Sequence, residues 1–82
     1  MIRVQFFARY RETLGCDQDR LEWHEGLRCM DDVRVSLAGR GGPWSVLDER
    51  NLMCARNDEL CSLDEPVADG DVLAFFPTVT GG

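Results

Sequence analysis

A five-residue run near the end of the chain, VLAFF at residues 72–76, limits most strongly how this sequence can fold. In a strand, successive side chains point to opposite faces, so this run would be apolar on both faces. Such a strand lies in the middle of a sheet, or one of its faces is covered by a partner. We therefore predict a strand that is either central or covered by a partner, and in which Phe75 and Phe76 point in opposite directions.

Two segments near the start of the chain alternate between apolar and polar residues. IRVQFF at residues 2–7 predicts a first strand, and RLEWH at residues 20–24 predicts a second one. The alternation is broken between these segments, and Gly15 suits a turn there. The two strands are therefore expected to form a hairpin with a long loop.

The apolar period then changes to that of a helix. The stripe of an amphipathic helix is formed by four residues, Leu27, Met30, Val33 and Leu37. The glycine-rich segment GRGGP that follows should end this helix. PWSVL at residues 43–47 is interpreted as one short further helical turn.

The second half of the chain predicts more strands. NLMCAR at residues 51–56 and LCSL at residues 60–63 are interpreted as short strands on either side of a tight turn at Asn57 and Asp58. DGD at residues 69–71 could be a metal site or a turn before the last strand. It lacks the ligands of a calcium loop, so we predict the turn.

The order strand, strand, helix and further strands is typical of an α+β fold. If the first and last strands are parallel neighbours, the arrangement is a β-grasp (ubiquitin-like) fold. We predict a mixed sheet of four to five strands with one main helix packed on one face. Residues 1–76 would form this domain, and residues 77–82 would form an extended C-terminal tail ending in Gly-Gly.

Composition excludes several classes of function. The 82 residues suffice for one domain, and the net charge of −6 disfavours nucleic acid as a partner. No apolar run approaches the roughly 20 residues of a membrane span, and the start lacks a signal-peptide pattern, so we expect a cytoplasmic protein. The four cysteines have neither zinc nor iron–sulfur spacing, so no metal site is expected.

Motifs for catalysis within the domain are also missing. The single histidine, His24, has no evident catalytic neighbour, and GRGG at residues 39–42 lacks the spacing of a phosphate-binding loop. We therefore expect no active site inside the domain and no cofactor bound by the chain itself.

The last residues, PTVTGG, point to chemistry at the end of the main chain instead. Gly81 and Gly82 have no side chains and can enter a channel too narrow for other residues. The β-branched residues before them favour an extended backbone, and six extended residues reach about 20 Å. A terminal carboxylate on Gly82 could be activated by adenylation and then converted to a thiocarboxylate.

Two segments of the chain resemble the small subunits of molybdopterin synthase, the MoaD-type sulfur carriers. These are VQFFARYRETLG at residues 4–15 and DGDVLAFFPTVTGG at residues 69–82, and the segment between them matches that family only in pattern. The resemblance covers essentially the whole chain. One residue departs from it, because Thr78 replaces the usual second proline of FFPPVTGG.

The resemblance implies a β-grasp protein that donates sulfur and is not catalytic alone. A ubiquitin-activating-like enzyme would use ATP to adenylate Gly82, and a sulfur donor would convert it to a thiocarboxylate. Two carriers would bind a dimer of the large subunit as a heterotetramer. Each tail would deliver its sulfur to cyclic pyranopterin monophosphate in molybdenum cofactor biosynthesis, with Gly81 providing clearance in the channel.

The residues expected to contact partners lie on the last strand, on the tail and near the first strand. They are Phe7, Arg11, Phe75, Phe76, Pro77, Thr78, Val79 and Thr80. The sequence leaves open which of the three phenylalanines is in the core. Arg11 matches the RE element of the family and could pair with an acidic group of the large subunit.

Other functions remain open at this stage. The same fold could carry sulfur for thiamine thiazole or cysteine synthesis, although the FFPTVTGG ending favours molybdopterin. A ubiquitin-like modifier would instead be joined through Gly82 to lysines of target proteins. An interaction module with an inert tail is a third alternative.

Overall fold

The computed structural model describes residues 1–78 and shows an α+β domain with five strands. In chain order the elements are β1 (Ile2–Phe6), α1 (Ala8–Leu14), β2 (Gln18–Leu21), α2 (Met30–Ala38), a 3₁₀ helix (Gly42–Asp48), β3 (Met53–Arg56), β4 (Glu59–Cys61) and β5 (Val72–Phe76). Among these residues, no helix is long and apolar enough to cross a membrane.

The five strands form one mixed sheet in the order β2-β1-β5-β3-β4. β5 lies between β1, to which it is parallel, and β3, to which it is antiparallel. The chain crosses from the β1–β2 hairpin to the rest of the sheet through α2. Of the two positions predicted for the last strand, the structure shows the central one, and the prediction of a β-grasp fold is confirmed.

The core lies between α2 and one face of the sheet. Met30, Val33 and Leu37 of α2 have no exposed surface, as the helical stripe predicted. The sheet contributes every second residue of its central strands to this core, namely Ile2, Val4, Phe6, Cys54, Leu73 and Phe75. Fully burying each of the larger side chains contributes about 1.5–3 kcal/mol to folding.

The main helix begins later than predicted, at Met30 rather than near Leu27. Cys29 is its N-cap residue, and the side chains of Cys29 and Asp32 form a reciprocal capping box. Hydrogen bonds from the backbone N–H groups of Arg28 and Cys29 hold the pKa of Asp32 below its usual value. The helix ends at Ala38, before the predicted glycines.

The segment after β1, which was predicted to be a loop, contains helix α1. Tyr10 is completely buried, and its hydroxyl donates a hydrogen bond of 2.6 Å to Glu49 beside the 3₁₀ helix. Arg9 donates two more hydrogen bonds to the same carboxylate. This anchoring, which links positions 40 residues apart, stabilises a helix too short to be stable alone.

The second strand also differs from the prediction, because β2 covers residues 18–21 rather than 20–24. Residue 21 pairs with Ile2 and packs on the core, but the strand ends there. Trp23 lies beyond it with 38% of its surface exposed, and His24 is in an exposed turn where its Nδ1 accepts a hydrogen bond from Gly26.

Candidate docking face and tail root

The sheet face opposite α2 is uncovered and carries an apolar patch. Its rim exposes three large side chains, with 45% of Phe7, 38% of Met53 and 68% of Leu60 accessible. We call this patch the docking face and define it by Phe7, Met53, Ala55, Leu60, Ala74 and Phe76. Clustered apolar side chains of this kind on a small protein are typical of a protein–protein contact.

The sheet register brings these residues together from four parts of the chain. Met53 is paired with Phe76, and Ala55 lies between Ala74 on one side and Leu60 on the other. Phe7 follows β1 and packs edge-to-face on Phe76, with ring centroids 6.2 Å apart at 85°. Between the two rings and the small alanines there is a shallow hollow of about 180 Å³.

The structure separates the three phenylalanines that the sequence left unresolved. Phe75 is fully buried between β1 and β3 and packs on the core under α2. It therefore has no surface for a partner, and its inclusion among the expected docking residues was wrong. Phe7 and Phe76 lie on the open face, as docking residues should.

The tail begins beside this apolar patch. Pro77 and Thr78 follow Phe76 directly, and both are half-buried. Residues 79–82, which include the predicted roles of Val79, Thr80, Gly81 and Gly82, lie outside the described residues. A partner that covers the docking face would also be adjacent to the tail root.

Arg11 lies on the exposed side of α1, next to Phe7. Together with Phe7 and Gln18 it borders a second shallow hollow of about 220 Å³. Within residues 1–78 its guanidinium group makes no ion pair. Its predicted pairing with an acidic group of a partner stays a prediction.

The DGD segment holds the edge of this site in place. Gly70 has a φ of +93°, as a turn requires, and Asp71 is buried to 8% exposure. The Asp71 carboxylate accepts hydrogen bonds from Arg56 at 2.8 Å and from Asn57 at 3.1 Å. Burial alone would raise the pKa of Asp71, but these bonds and one from the Ala68 N–H hold it below its usual value.

This network fixes the β3–β4 hairpin to the start of β5. Asn57 and Asp58 form the tight turn predicted at these positions, and both have positive φ angles of 50° and 71°. Asn57 also exchanges hydrogen bonds with the backbone of Val72. The sequence predicted the two turns but gave no signal that Asp71 joins them, since its partners Arg56 and Asn57 lie 15 and 14 positions away along the chain.

The cysteines do not form a metal centre or a reactive site within the described part of the chain. No group of three His, Cys, Asp or Glu residues there could hold a metal ion. Cys54 is 2% exposed and behaves as a small core residue. Burial, together with the neighbouring Cys61, raises the pKa of its thiol to about 12.

This geometry is suited to binding another protein. The face offers aromatic and aliphatic contacts around a shallow hollow, and its hydrogen-bonding groups are those of strands already paired in the sheet. The hollow is too open to exclude water from a small substrate. Chemistry at this site would therefore depend on the tail that follows Thr78 and on the partner that covers the face.

Comparison with known proteins gives matches along almost the entire chain. The sequence matches the ThiS family over residues 4–82. It is 39% identical to the molybdopterin synthase sulfur carrier subunit of Escherichia coli (strain K12), and 41% identical to that of Haemophilus influenzae. Both alignments cover 100% of each protein.

Solved structures agree with the observed fold. The small archaeal modifier protein 1 of Haloferax volcanii is 26% identical and superposes with a TM-score of 0.76, covering 95% of this chain and 97% of that chain. A chain from the complex of subunits 1 and 2 of the molybdopterin-converting factor of Helicobacter pylori is 27% identical. Its TM-score is 0.64, with coverage of 99% of this chain and 97% of that chain.

Proposed function

Because the chain belongs to the ThiS family, we propose that it is the sulfur carrier subunit of a molybdopterin synthase, with its sulfur held as a thiocarboxylate on Gly82. The observation that carries this proposal is the 39% identity to a named sulfur carrier subunit across the full length of both proteins. Such coverage includes the body, the docking face and the tail together, rather than the fold alone.

The charge state of a carboxylate explains why activation is needed. With a pKa near 3.5, a terminal carboxylate is ionised at neutral pH and is a poor electrophile. In the proposed reaction, Gly82 attacks the α-phosphate of ATP, pyrophosphate leaves, and an acyl-adenylate forms. Sulfur at the oxidation level of hydrosulfide, supplied by the sulfur donor, then attacks the acyl carbon and displaces AMP to give the thiocarboxylate. The need for ATP suits a cytoplasmic protein.

The docking face supports the need for a partner. Phe7 and Phe76 provide an exposed aromatic contact surface at the end of β5, next to the residue at which the predicted tail begins. A partner bound at this surface would therefore be close to the tail. The relative in the Helicobacter pylori complex is recorded with its second subunit. We propose that a large subunit covers this face, and that two carriers bind a dimer of large subunits in this way. The adenylating enzyme would bind the same face at a different step of the cycle.

Sulfur transfer would then occur inside the large subunit. The thiocarboxylate sulfur attacks a carbon of cyclic pyranopterin monophosphate and displaces an oxygen substituent from that carbon, so that Gly82 is joined to the substrate as a thioester. Water then hydrolyses this thioester, which leaves the sulfur on the product and returns the Gly82 carboxylate for another cycle. Gly81 provides clearance because it has no Cβ. The carrier body contributes binding and orientation only, which agrees with an open hollow rather than an enclosed catalytic pocket.

The loading step gives a direct experiment. The protein is incubated with its adenylating enzyme, ATP and a sulfur donor, and its intact mass is measured. We expect the increase that corresponds to replacement of one oxygen by sulfur, located on the last residue by fragmentation. A mass that stays unchanged, or sulfur located on a cysteine, would contradict the proposal.

The similarity to a small archaeal modifier protein favours one second candidate, a protein modifier joined through Gly82 to target lysines. This function predicts covalent adducts of higher mass in cell extracts that resist thiol reagents. A carrier predicts none, since its bond to sulfur is released at each cycle. Immunoblots of extracts with and without reducing agent distinguish the two.

A further inference from the structure

Two arginines lie side by side at one end of the open sheet face. Arg3 of β1 and Arg20 of β2 are direct partners in the antiparallel register, and both are exposed. Together with Met1 and Val72 they border a shallow hollow of about 520 Å³. We call these two residues the arginine pair.

The arrangement is unfavourable for the isolated domain. Like charges directly opposite each other on neighbouring strands destabilise a sheet. Within the described chain neither guanidinium group has an ion-pair partner, although the net charge is −6 and carboxylates are abundant. Two carboxylates close to the pair in the sequence or the fold are committed elsewhere, since Asp19 pairs with Arg40 and Asp69 pairs with the N-terminal amine.

The position of the pair relates it to the docking face. Arg3 is the register partner of Val72, the first residue of β5, whereas Phe76 is the last residue of that strand. Four residue steps along a strand span about 13 Å. The open face therefore has an apolar end beside the tail root and a positive end about 13 Å from it.

We infer that the arginine pair is a carboxylate-binding extension of the docking face, which receives an acidic surface of the large subunit and fixes the rotation of the carrier on it. This inference rests on the proposed function for the identity of the partner. An apolar contact alone allows several rotations about the patch. A charged contact about 13 Å away selects one of them and aims the tail into its channel.

Arginine suits this role because its planar guanidinium group binds carboxylates in a bidentate manner. Two adjacent guanidinium groups on an otherwise acidic protein also create a local positive field. Such a field accelerates association with an acidic partner and makes the association sensitive to salt. The partner should therefore carry at least one Asp or Glu about 13 Å from the mouth of the channel that receives the tail.

The first experiment compares two double variants with the same change in charge. Arg3→Glu/Arg20→Glu removes the pair, while Arg28→Glu/Arg50→Glu alters two exposed arginines that lie outside the strands and, within residues 1–78, form no ion pair. Binding to the large subunit is measured by calorimetry at low and high salt. We expect the first variant to raise Kd by at least about 10-fold at low salt, and to lose or reverse the weakening by salt that the wild type shows, because salt screens the new repulsion. The second variant should stay within about twofold of the wild type.

The single variant Arg20→Glu separates binding from folding. It places opposite charges across from each other, so its melting temperature should rise by about 1 to 5 °C while its affinity for the large subunit falls. A protein that becomes more stable and binds less tightly cannot owe its weaker binding to unfolding. A lower melting temperature for this variant would contradict the premise that the pair is unsatisfied.

The outcomes distinguish this inference from the proposed function. If the wild type binds the large subunit and the two double variants bind equally well, the inference is overturned and the proposed function stands. If the wild type does not bind the large subunit at all, both are overturned.

Discussion

Phe75 and Phe76 are adjacent in the sequence but lie on opposite faces of β5, so replacing each with alanine should affect different properties, folding stability for Phe75 and partner binding for Phe76. Phe75 has no exposed surface and packs under α2. Removing such a ring leaves a cavity and costs about 3–5 kcal/mol. A chain of 82 residues is stable by only about 4–12 kcal/mol, so Phe75→Ala should be largely unfolded or strongly destabilised.

The corresponding change at Phe76 should spare the fold. Phe76 is partly exposed, and its ring packs edge-to-face on Phe7. Losing that contact and the partial burial costs about 1–2 kcal/mol. If Phe76 anchors the large subunit, however, Phe76→Ala should weaken binding by 2 kcal/mol or more, which is at least about 30-fold in Kd.

Urea denaturation followed by circular dichroism gives the stabilities, and calorimetry with the large subunit gives the affinities. Phe75→Leu is the matched control, because it keeps most of the core volume and should cost about 1–2 kcal/mol without changing the affinity. Two results would contradict the assignment of Phe75 to the core and of Phe76 to the docking face. One is a stability loss at Phe76→Ala as large as that at Phe75→Ala, and the other is normal binding by a folded Phe76→Ala variant.

Three further predictions concern Asp71, Cys54 and the two terminal glycines. Asp71→Asn should destabilise the protein by about 1–3 kcal/mol at pH 7, because Arg56 loses a charged partner. The pKa of Asp71 in the folded protein is below its ordinary value of 3.8. The stability difference between the wild type and Asp71→Asn should therefore be complete above pH 3.8 and disappear as the pH falls through the pKa of the folded state. Urea denaturation at a series of pH values from 3 to 7 measures this difference. Cys54 should be the slowest cysteine to react with iodoacetamide at pH 8, because its thiol is buried and has a pKa of about 12. Equal rates of Cys54 labelling in native and urea-unfolded protein would disprove this prediction. Deleting Gly81 and Gly82, or adding one residue after Gly82, should leave the melting temperature unchanged and abolish molybdopterin formation in a reconstituted assay, whereas product formed by either variant would place the reactive group elsewhere.

The parts of the fold that the sequence predicted best are a continuous apolar run and an apolar stripe of helical period. The run of β5 and the stripe of α2 both led to the right element, because burial demands that spacing, although α2 begins at Met30 rather than near Leu27. Helix α1 was missed because it has seven residues and a single fully buried anchor, Tyr10. The four-residue spacing of Tyr10 and Leu14 was the one local signal for this helix. The contact that anchors the helix is the hydrogen bond from Tyr10 to Glu49, which lies 39 residues away and cannot be predicted from local spacing.

The residues of the docking face could be identified only from the sheet register. Alternation showed that Phe75 and Phe76 point apart, but it did not say which of them faces the helix. That choice follows from the pairing of Cys54 with Phe75 and of Met53 with Phe76. The arginine pair was likewise invisible in the sequence, because Arg3 and Arg20 come together only through the β1–β2 pairing. Sequence patterns specify faces, whereas contacts between distant strands depend on the whole sheet.

The central claim is that the reacting sulfur is held on the last carbon of the main chain and leaves from there. A single-turnover reaction tests it most directly, with sulfur-loaded carrier, large subunit and cyclic pyranopterin monophosphate, while carrier mass and molybdopterin are followed together. The mass of the loaded carrier should return to that of the carboxylate form at the same rate as molybdopterin appears. Product formed while the carrier mass stays constant, or formed by a carrier whose terminal carboxylate has been amidated, would contradict it.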